Sequence, residues 1–85
     1  MDYRKAHIFS NNNKPALGTP QRCGCFYCGK MFESTEIVEW VEADNPYDYK
    51  GTAICPYCGI DAVIGESSGF LITKEFLEGM NRAWF

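Results

Sequence analysis

Two short stretches decide the fold: Cys25-Phe26-Tyr27-Cys28-Gly29 and its near repeat, Cys55-Pro56-Tyr57-Cys58-Gly59. In each, two residues separate the cysteines, Tyr precedes the second cysteine and Gly follows it. Two thiolates at this spacing can converge on one ion, with bonds of about 2.3 Å if the ion is zinc. The glycine can adopt a positive φ without steric cost, and such a turn directs backbone amides toward the sulfurs. These stretches, called here the first and second knuckle, predict one tetrahedral site that binds one zinc ion through Cys25, Cys28, Cys55 and Cys58.

Paired cysteines have other interpretations. Two disulfides are disfavoured in a reducing compartment, and a thioredoxin-like redox pair requires a βαβ context that this sequence does not indicate. The fifth cysteine, Cys23, could replace Cys25 in an alternative register, but that spacing breaks the repeat. We therefore predict that Cys23 is a free thiol just outside the ligand set. The one histidine, His7, lies in a polar segment and is not expected to bind the metal.

The length and composition indicate a single globular domain. A chain of 85 residues is short enough to bury only about 60% of its unfolded surface, so a metal that ties the fold together is expected. No apolar run approaches the roughly 18 residues of a membrane-spanning helix, and the start does not resemble a signal peptide. The expected location is the cytoplasm, without a membrane partner.

Charge is distributed unevenly. Residues 1–22 contain four basic residues and one acidic residue, whereas residues 23–85 contain four basic and ten acidic residues. Four thiolates and one zinc ion would bring the second part to about −8. A body with this charge repels phosphate backbones, which argues against a nucleic acid partner.

The sequence predicts two regions. Residues 1–21 are rich in turn-forming residues and are expected to form a flexible or loosely docked N-terminal tail, in which only Ile8 and Phe9 could dock. Residues 22–85 are expected to form the zinc-ribbon-like domain. Its predicted fold class is a small metal-stabilised α+β fold with short antiparallel strands and two amphipathic helices.

Apolar spacing predicts the elements of that domain. Residues 35–43 place Trp40 and its apolar neighbours on one helical face and glutamates on the other, with Ser34 as N-cap. Residues 52–54 and 62–64 are predicted strands, the second ending at Gly65. A final helix is predicted to begin after Thr73, its N-cap, and to bury Phe76 and Trp84.

The knuckles resemble the two metal-binding loops of the rubredoxin and zinc-ribbon class, although rubredoxins consist mostly of strands and loops. A longer resemblance runs from Cys23 to Phe85, on residues 23–28, 55–70 and 72–77. It is to a family of small bacterial cytoplasmic proteins described as uncharacterised or zinc-ribbon-like. That resemblance implies a cytoplasmic protein with a paired metal knuckle, and it supplies no catalytic residues.

Three classes of function are compatible with these features. A closed site of four cysteines is typically structural, which favours a protein-interaction module whose partner is another protein. It could bind through the acidic helix face, the Phe70-Leu71 loop or the basic tail. The alternatives are a nucleic-acid-binding zinc ribbon, which lacks a basic stripe here, and a rubredoxin-like electron carrier that binds iron. No enzymatic activity is expected, because such a site leaves no coordination position open. The sequence does not indicate the oligomeric state.

Overall fold

The chain combines short antiparallel strands with two helices in a computed structural model that describes residues 2–41 and 51–85. The helices among these residues are α1 (Tyr3–His7) and α2 (Lys74–Trp84). The strands are β1 (Arg22–Cys25), β2 (Met31–Glu33), β3 (Trp40–Val41), β4 (Thr52–Ala53) and β5 (Val63–Gly65). Four 3₁₀ turns connect them, at Ile8–Ser10, Ala16–Gly18, Ser34–Glu36 and Glu66–Ser68. The α+β class and the antiparallel strands are as predicted.

Strand β1 is the centre of the larger sheet, which has the order β2-β1-β5 with every pair antiparallel. Gly24 in β1 lies opposite Met31 of β2 and Ile64 of β5. Helix α2 packs so closely on this strand that a Cβ atom on Gly24 would lie 2.7 Å from a methyl group of Leu77. A side chain at position 24 would therefore force the Leu77 side chain to shift. The strand that enters the first knuckle pairs with a strand on each side.

Helix α2 begins as predicted. The Thr73 side chain accepts a hydrogen bond from the Phe76 amide at 3.1 Å, which satisfies a backbone donor of the first turn. Phe76, Leu77 and Met80 are buried. Trp84 is not, since 41% of it is exposed, and the prediction that it is buried is wrong. No helix within residues 2–41 and 51–85 is long and apolar enough to span a membrane.

The predicted helix over residues 35–43 is wrong from Ile37 to Val41, and only a 3₁₀ turn forms at its start; residues 42 and 43 lie outside the described residues. A 3₁₀ turn at Ser34–Glu36 ends at Ile37, which is extended, and the chain continues into β3. Trp40 pairs with Ala53 of β4. A helix of nine residues is marginal by itself, so strand pairing with a distant segment outweighs the helical spacing of the apolar residues.

The two remaining strand predictions are confirmed, the first with one end and the second with both ends moved by one residue. Strand β4 stops at Ala53, before Ile54, whose amide still donates to the Glu39 carbonyl at 3.0 Å. Strand β5 starts at Val63 and includes Gly65, which lies opposite Cys23. Gly65 is therefore the last residue of the strand and not the residue that follows it.

The N-terminal segment contacts both sheets through Asn13, a buried polar residue. Its Nδ2 donates to the Val63 carbonyl at 2.9 Å, and its Oδ1 accepts from the Ala53 amide at 2.9 Å. The expectation that only Ile8 and Phe9 could dock is wrong, because Ile8 is 66% exposed and the segment is anchored by other side chains. Those buried residues are Ala6, Ser10, Asn13 and Leu17. The motion of residues 1–21 stays a prediction that amide hydrogen exchange would measure.

Candidate metal centre

The two knuckles have the same backbone hydrogen bonds. In the first, the Gly29 amide donates to the Cys25 carbonyl at 2.8 Å, and in the second the Gly59 amide donates to the Cys55 carbonyl at 3.0 Å. The amide of each leading cysteine donates at 2.9 Å to the carbonyl of the residue after the glycine. Both glycines have positive φ, 80° and 78°, as the sequence predicts. The repeat in sequence is therefore a repeat in structure.

The turns bring four sulfur atoms together, and all four lie within 4.8 Å of one another. The Cys25 and Cys58 sulfurs are 3.6 Å apart, and the Cys28 and Cys55 sulfurs are 3.7 Å apart. A tetrahedral ion with metal–sulfur bonds of about 2.3 Å requires sulfur–sulfur distances of about 3.8 Å. No disulfide links any of the five cysteines. The arrangement fits one tetrahedral metal ion.

Backbone amides oppose the effect of burial on the thiols. Burial raises the pKa of Cys25, while hydrogen bonds from the amides of Cys28 and Tyr27 act to lower it. Burial also acts to raise the pKa of Cys28, but the Lys30 amide and the neighbouring cysteines lower it below the ordinary value. Amide donors stabilise thiolate, the form that binds metal. Amide donors therefore act against the desolvation of the two sulfurs of the first knuckle.

The knuckles differ in burial at the residue that follows the leading cysteine. The leading cysteines themselves, Cys25 and Cys55, are both buried, and Cys28 is exposed. The first knuckle places Phe26 in the core with 2% of it exposed, while the corresponding residue of the second knuckle, Pro56, is exposed. Helix α2 adds a further contact: the Asn81 side chain donates to the carbonyls of Phe26 and Tyr27. Sequence reasoning missed this contact, since an asparagine on a helix carries no signal of a distant partner.

The second knuckle has a partner at the surface. The Tyr57 hydroxyl donates to a carboxylate oxygen of Glu36 at 2.6 Å. This hydrogen bond lowers the pKa of Glu36 and raises that of Tyr57. Glu36 lies in the segment predicted as an amphipathic helix, so the 3₁₀ turn that replaces the helix brings the carboxylate to the knuckle.

Cys23 and His7 lie outside the cluster of four sulfurs. Cys23 is fully buried in β1, and burial, together with the charges of Glu33 and Glu66, raises the pKa of its thiol to about 12. Such a thiol stays protonated at neutral pH. The His7 ring packs against Trp84 at a tilt of 37°, with their centroids 4.0 Å apart. The structure thus brings together the four cysteines predicted as ligands and leaves out the two residues predicted not to bind.

Comparison of the chain with protein-family models, with curated proteins and with solved structures gave no match. Its interpretation therefore depends on the cysteine cluster and its surroundings.

Proposed function

We propose that this chain is a small zinc protein, in which the four cysteines hold one Zn²⁺ that stabilises the fold, and that it serves as a protein-interaction module in the cytoplasm. The observation that carries the metal assignment is the approach of four sulfurs to within 4.8 Å of one another. Ligand sets of four thiolates are typical of structural zinc. Extended chain in place of the expected helix at β3 supports the resemblance to rubredoxins, which consist mostly of strands and loops.

A structural role for the ion is favoured over a catalytic one. Catalytic zinc keeps one coordination position for water or substrate, whereas four cysteines fill a tetrahedron. The only histidine is engaged with Trp84. We therefore propose that the protein is not an enzyme.

A group of aromatic rings that is exposed at Tyr27 and Phe85 supports the interaction role. Five rings connect from one to the next, and we call them the aromatic cluster: His7, Phe26, Tyr27, Trp84 and Phe85. Phe85 is 60% exposed and Tyr27 is 49% exposed, and their centroids are 5.0 Å apart. Large exposed aromatic surfaces are enriched at protein interfaces. The sequence suggested the acidic helix face, the Phe70-Leu71 loop or the basic tail as binding surfaces. The exposed rings of Tyr27 and Phe85 form the binding surface proposed here.

Elemental analysis of protein expressed in a cytosol replete with zinc tests the metal assignment. One zinc per chain and a colourless solution are expected, because Zn²⁺ has no partly filled d shell. A red, iron-loaded product would instead favour the electron carrier, since a site of four cysteines also suits iron.

The interaction role is tested by affinity capture with the purified protein as bait. The double variant Tyr27→Ser and Phe85→Ser should lose a specific protein partner and keep its zinc. Leu71→Ser is the matched control, because Leu71 is 75% exposed but lies outside the aromatic cluster. Loss of the partner in the control alone would move the interface to the Phe70-Leu71 loop.

A further inference from the structure

Asn81 lies on α2, outside both cysteine motifs, yet its side chain contacts the first knuckle. Its Nδ2 donates to the Phe26 carbonyl at 3.0 Å and to the Tyr27 carbonyl at 3.1 Å. These are the two residues between Cys25 and Cys28. Since 55 positions separate Asn81 from Phe26, the packing of α2 on the sheet creates this contact.

The two carbonyls belong to peptide groups whose opposite ends face the sulfurs. The peptide group that contains the Phe26 oxygen also contains the Tyr27 amide, and the next one contains the Tyr27 oxygen and the Cys28 amide. Both of these amides act to lower the pKa of the Cys25 thiol, as donors near its sulfur do. A peptide group is planar, so a donor that fixes its oxygen also fixes the direction of its N–H. A hydrogen bond to the oxygen further polarises the group and strengthens the bond made by its N–H.

We propose that Asn81 is a positioning residue of the metal site: it holds two peptide planes of the first knuckle so that their amides point at the Cys25 sulfur. This inference rests on the proposed metal-binding function. Asn81 would thereby control how firmly the site retains its ion. Asn81 touches neither the ion nor a sulfur in this role, and it acts only through the backbone.

The second knuckle has no such support within the described residues. There the Tyr57 amide donates to the Cys55 sulfur at 3.4 Å, but no side chain of residues 2–41 and 51–85 donates to the carbonyl of Pro56 or Tyr57. Among the described residues, side-chain donors to the knuckle carbonyls therefore reach the first knuckle alone. Loss of the Asn81 amide would remove those donors, and the ion should then dissociate faster.

Zinc transfer to an excess of a chromophoric chelator tests the proposal. Asn81→Ala removes the donors, and Asn81→Asp keeps the size of the side chain but places a carboxylate against two carbonyl oxygens. Changes to residues that orient metal ligands typically weaken metal affinity about 10–100-fold. We expect both variants to release zinc faster by a factor of that order. Asn81→Gln, which keeps an amide, should lie between them and the wild type.

Three variants of neighbouring residues on α2 separate positioning from general destabilisation. Met80 is fully buried, so Met80→Leu and Met80→Ala weaken packing to different degrees without removing a donor to the knuckle. Arg82→Gln changes an exposed side chain. These controls define how the release rate depends on the urea midpoint of unfolding. Each Asn81 variant should release zinc faster than a control variant with the same urea midpoint would.

Cobalt absorption gives a second measurement, and its bands would not shift if Asn81 only stabilised the fold. In Co²⁺-loaded protein, the bands that arise from the sulfur ligands should shift in Asn81→Asp and Asn81→Ala but not in Met80→Leu. Asn81 variants that follow the control relation and keep the wild-type cobalt spectrum would overturn the positioning role alone. A wild-type protein that binds neither zinc nor cobalt would overturn the proposed function and this inference with it.

Discussion

The two knuckles share a backbone and differ in what surrounds them. Both have a glycine with positive φ and the same pair of backbone hydrogen bonds. The first is continuous with the central strand β1, buries Phe26 and is held by Asn81 of α2. The second exposes Pro56 and contacts Glu36 at the surface through Tyr57. A short motif thus determines the ligand geometry, whereas the rest of the fold determines how strongly each half of the site is supported.

The largest effect is expected when one of the four cysteine ligands is replaced. Replacement of Cys25, Cys28, Cys55 or Cys58 by Ser should release zinc and unfold the domain together. Structural zinc in finger peptides contributes about 10–16 kcal/mol of apparent binding free energy, which is comparable to the whole stability of a domain. Zinc content and circular dichroism, measured on the same samples, check the result.

Cys23→Ser is the control for this series. It should keep zinc, although the melting temperature should fall because a hydroxyl replaces a fully buried thiol. If Cys23→Ser released the metal and Cys25→Ser retained it, the ligand set would be wrong.

The next largest effect is on the unfolding free energy, when equivalent positions of the two knuckles are replaced by Ala. Phe26→Ala should cost about 3–5 kcal/mol of unfolding free energy, because it leaves a cavity in the core. Pro56→Ala should cost only about 0.4–1 kcal/mol, through the added freedom of the unfolded chain. Urea denaturation of the zinc-loaded variants measures both values. Equal costs would contradict the difference in burial on which the comparison depends.

The distance along the chain between contacting residues decides what could be predicted from the sequence. The knuckles and the Thr73 cap were predictable because their hydrogen bonds join residues within a few positions of each other. The strand at Trp40 was not, since its partner Ala53 is distant along the chain and the apolar spacing of residues 35–43 also fits a helix. The Asn81 contact was not predictable either, because it depends on where α2 crosses the sheet.

A smaller effect concerns the surface contact of the second knuckle. The hydrogen bond to the Glu36 carboxylate raises the pKa of Tyr57, so its stabilising contribution is complete below the ordinary tyrosine pKa. It is lost as the pH rises through the raised value. The same bond lowers the pKa of Glu36, so at acid pH its contribution is lost as the pH falls through that lowered value.

Glu36→Gln should therefore return the pKa of Tyr57 toward its ordinary value, as measured by an alkaline titration of the Tyr57 ring signals in NMR spectra. Glu39→Gln is the matched control, since Glu39 is an exposed carboxylate on the same segment. An unchanged Tyr57 titration in Glu36→Gln, or an equal change in the control, would contradict the contact.

The smallest expected effect is on nucleic acids. Basic residues of the N-terminal segment could give weak, sequence-blind binding, with a salt slope of about −0.9 per phosphate neutralised on duplex DNA. Electrophoretic shift against duplex DNA, single-stranded DNA and RNA pools should show no specific complex at physiological salt. A sub-micromolar complex that persists after Arg4, Lys5, Lys14 and Arg22 are all replaced by Gln would overturn the preference for a protein partner.

The buried amide of Asn13 has a consequence for the order of folding during synthesis. It joins β4 and β5, whose contacting residues follow it by 40 and 50 positions. At translation rates of roughly 5–20 residues per second, the ribosome needs on the order of 2.5–10 s to add those 50 residues. Asn13 cannot form both bonds before Val63 has been added and has left the ribosome. The N-terminal segment is synthesised before either knuckle. Because Val63 follows both knuckles in the sequence, Asn13 can complete its contacts only after both knuckles have left the ribosome.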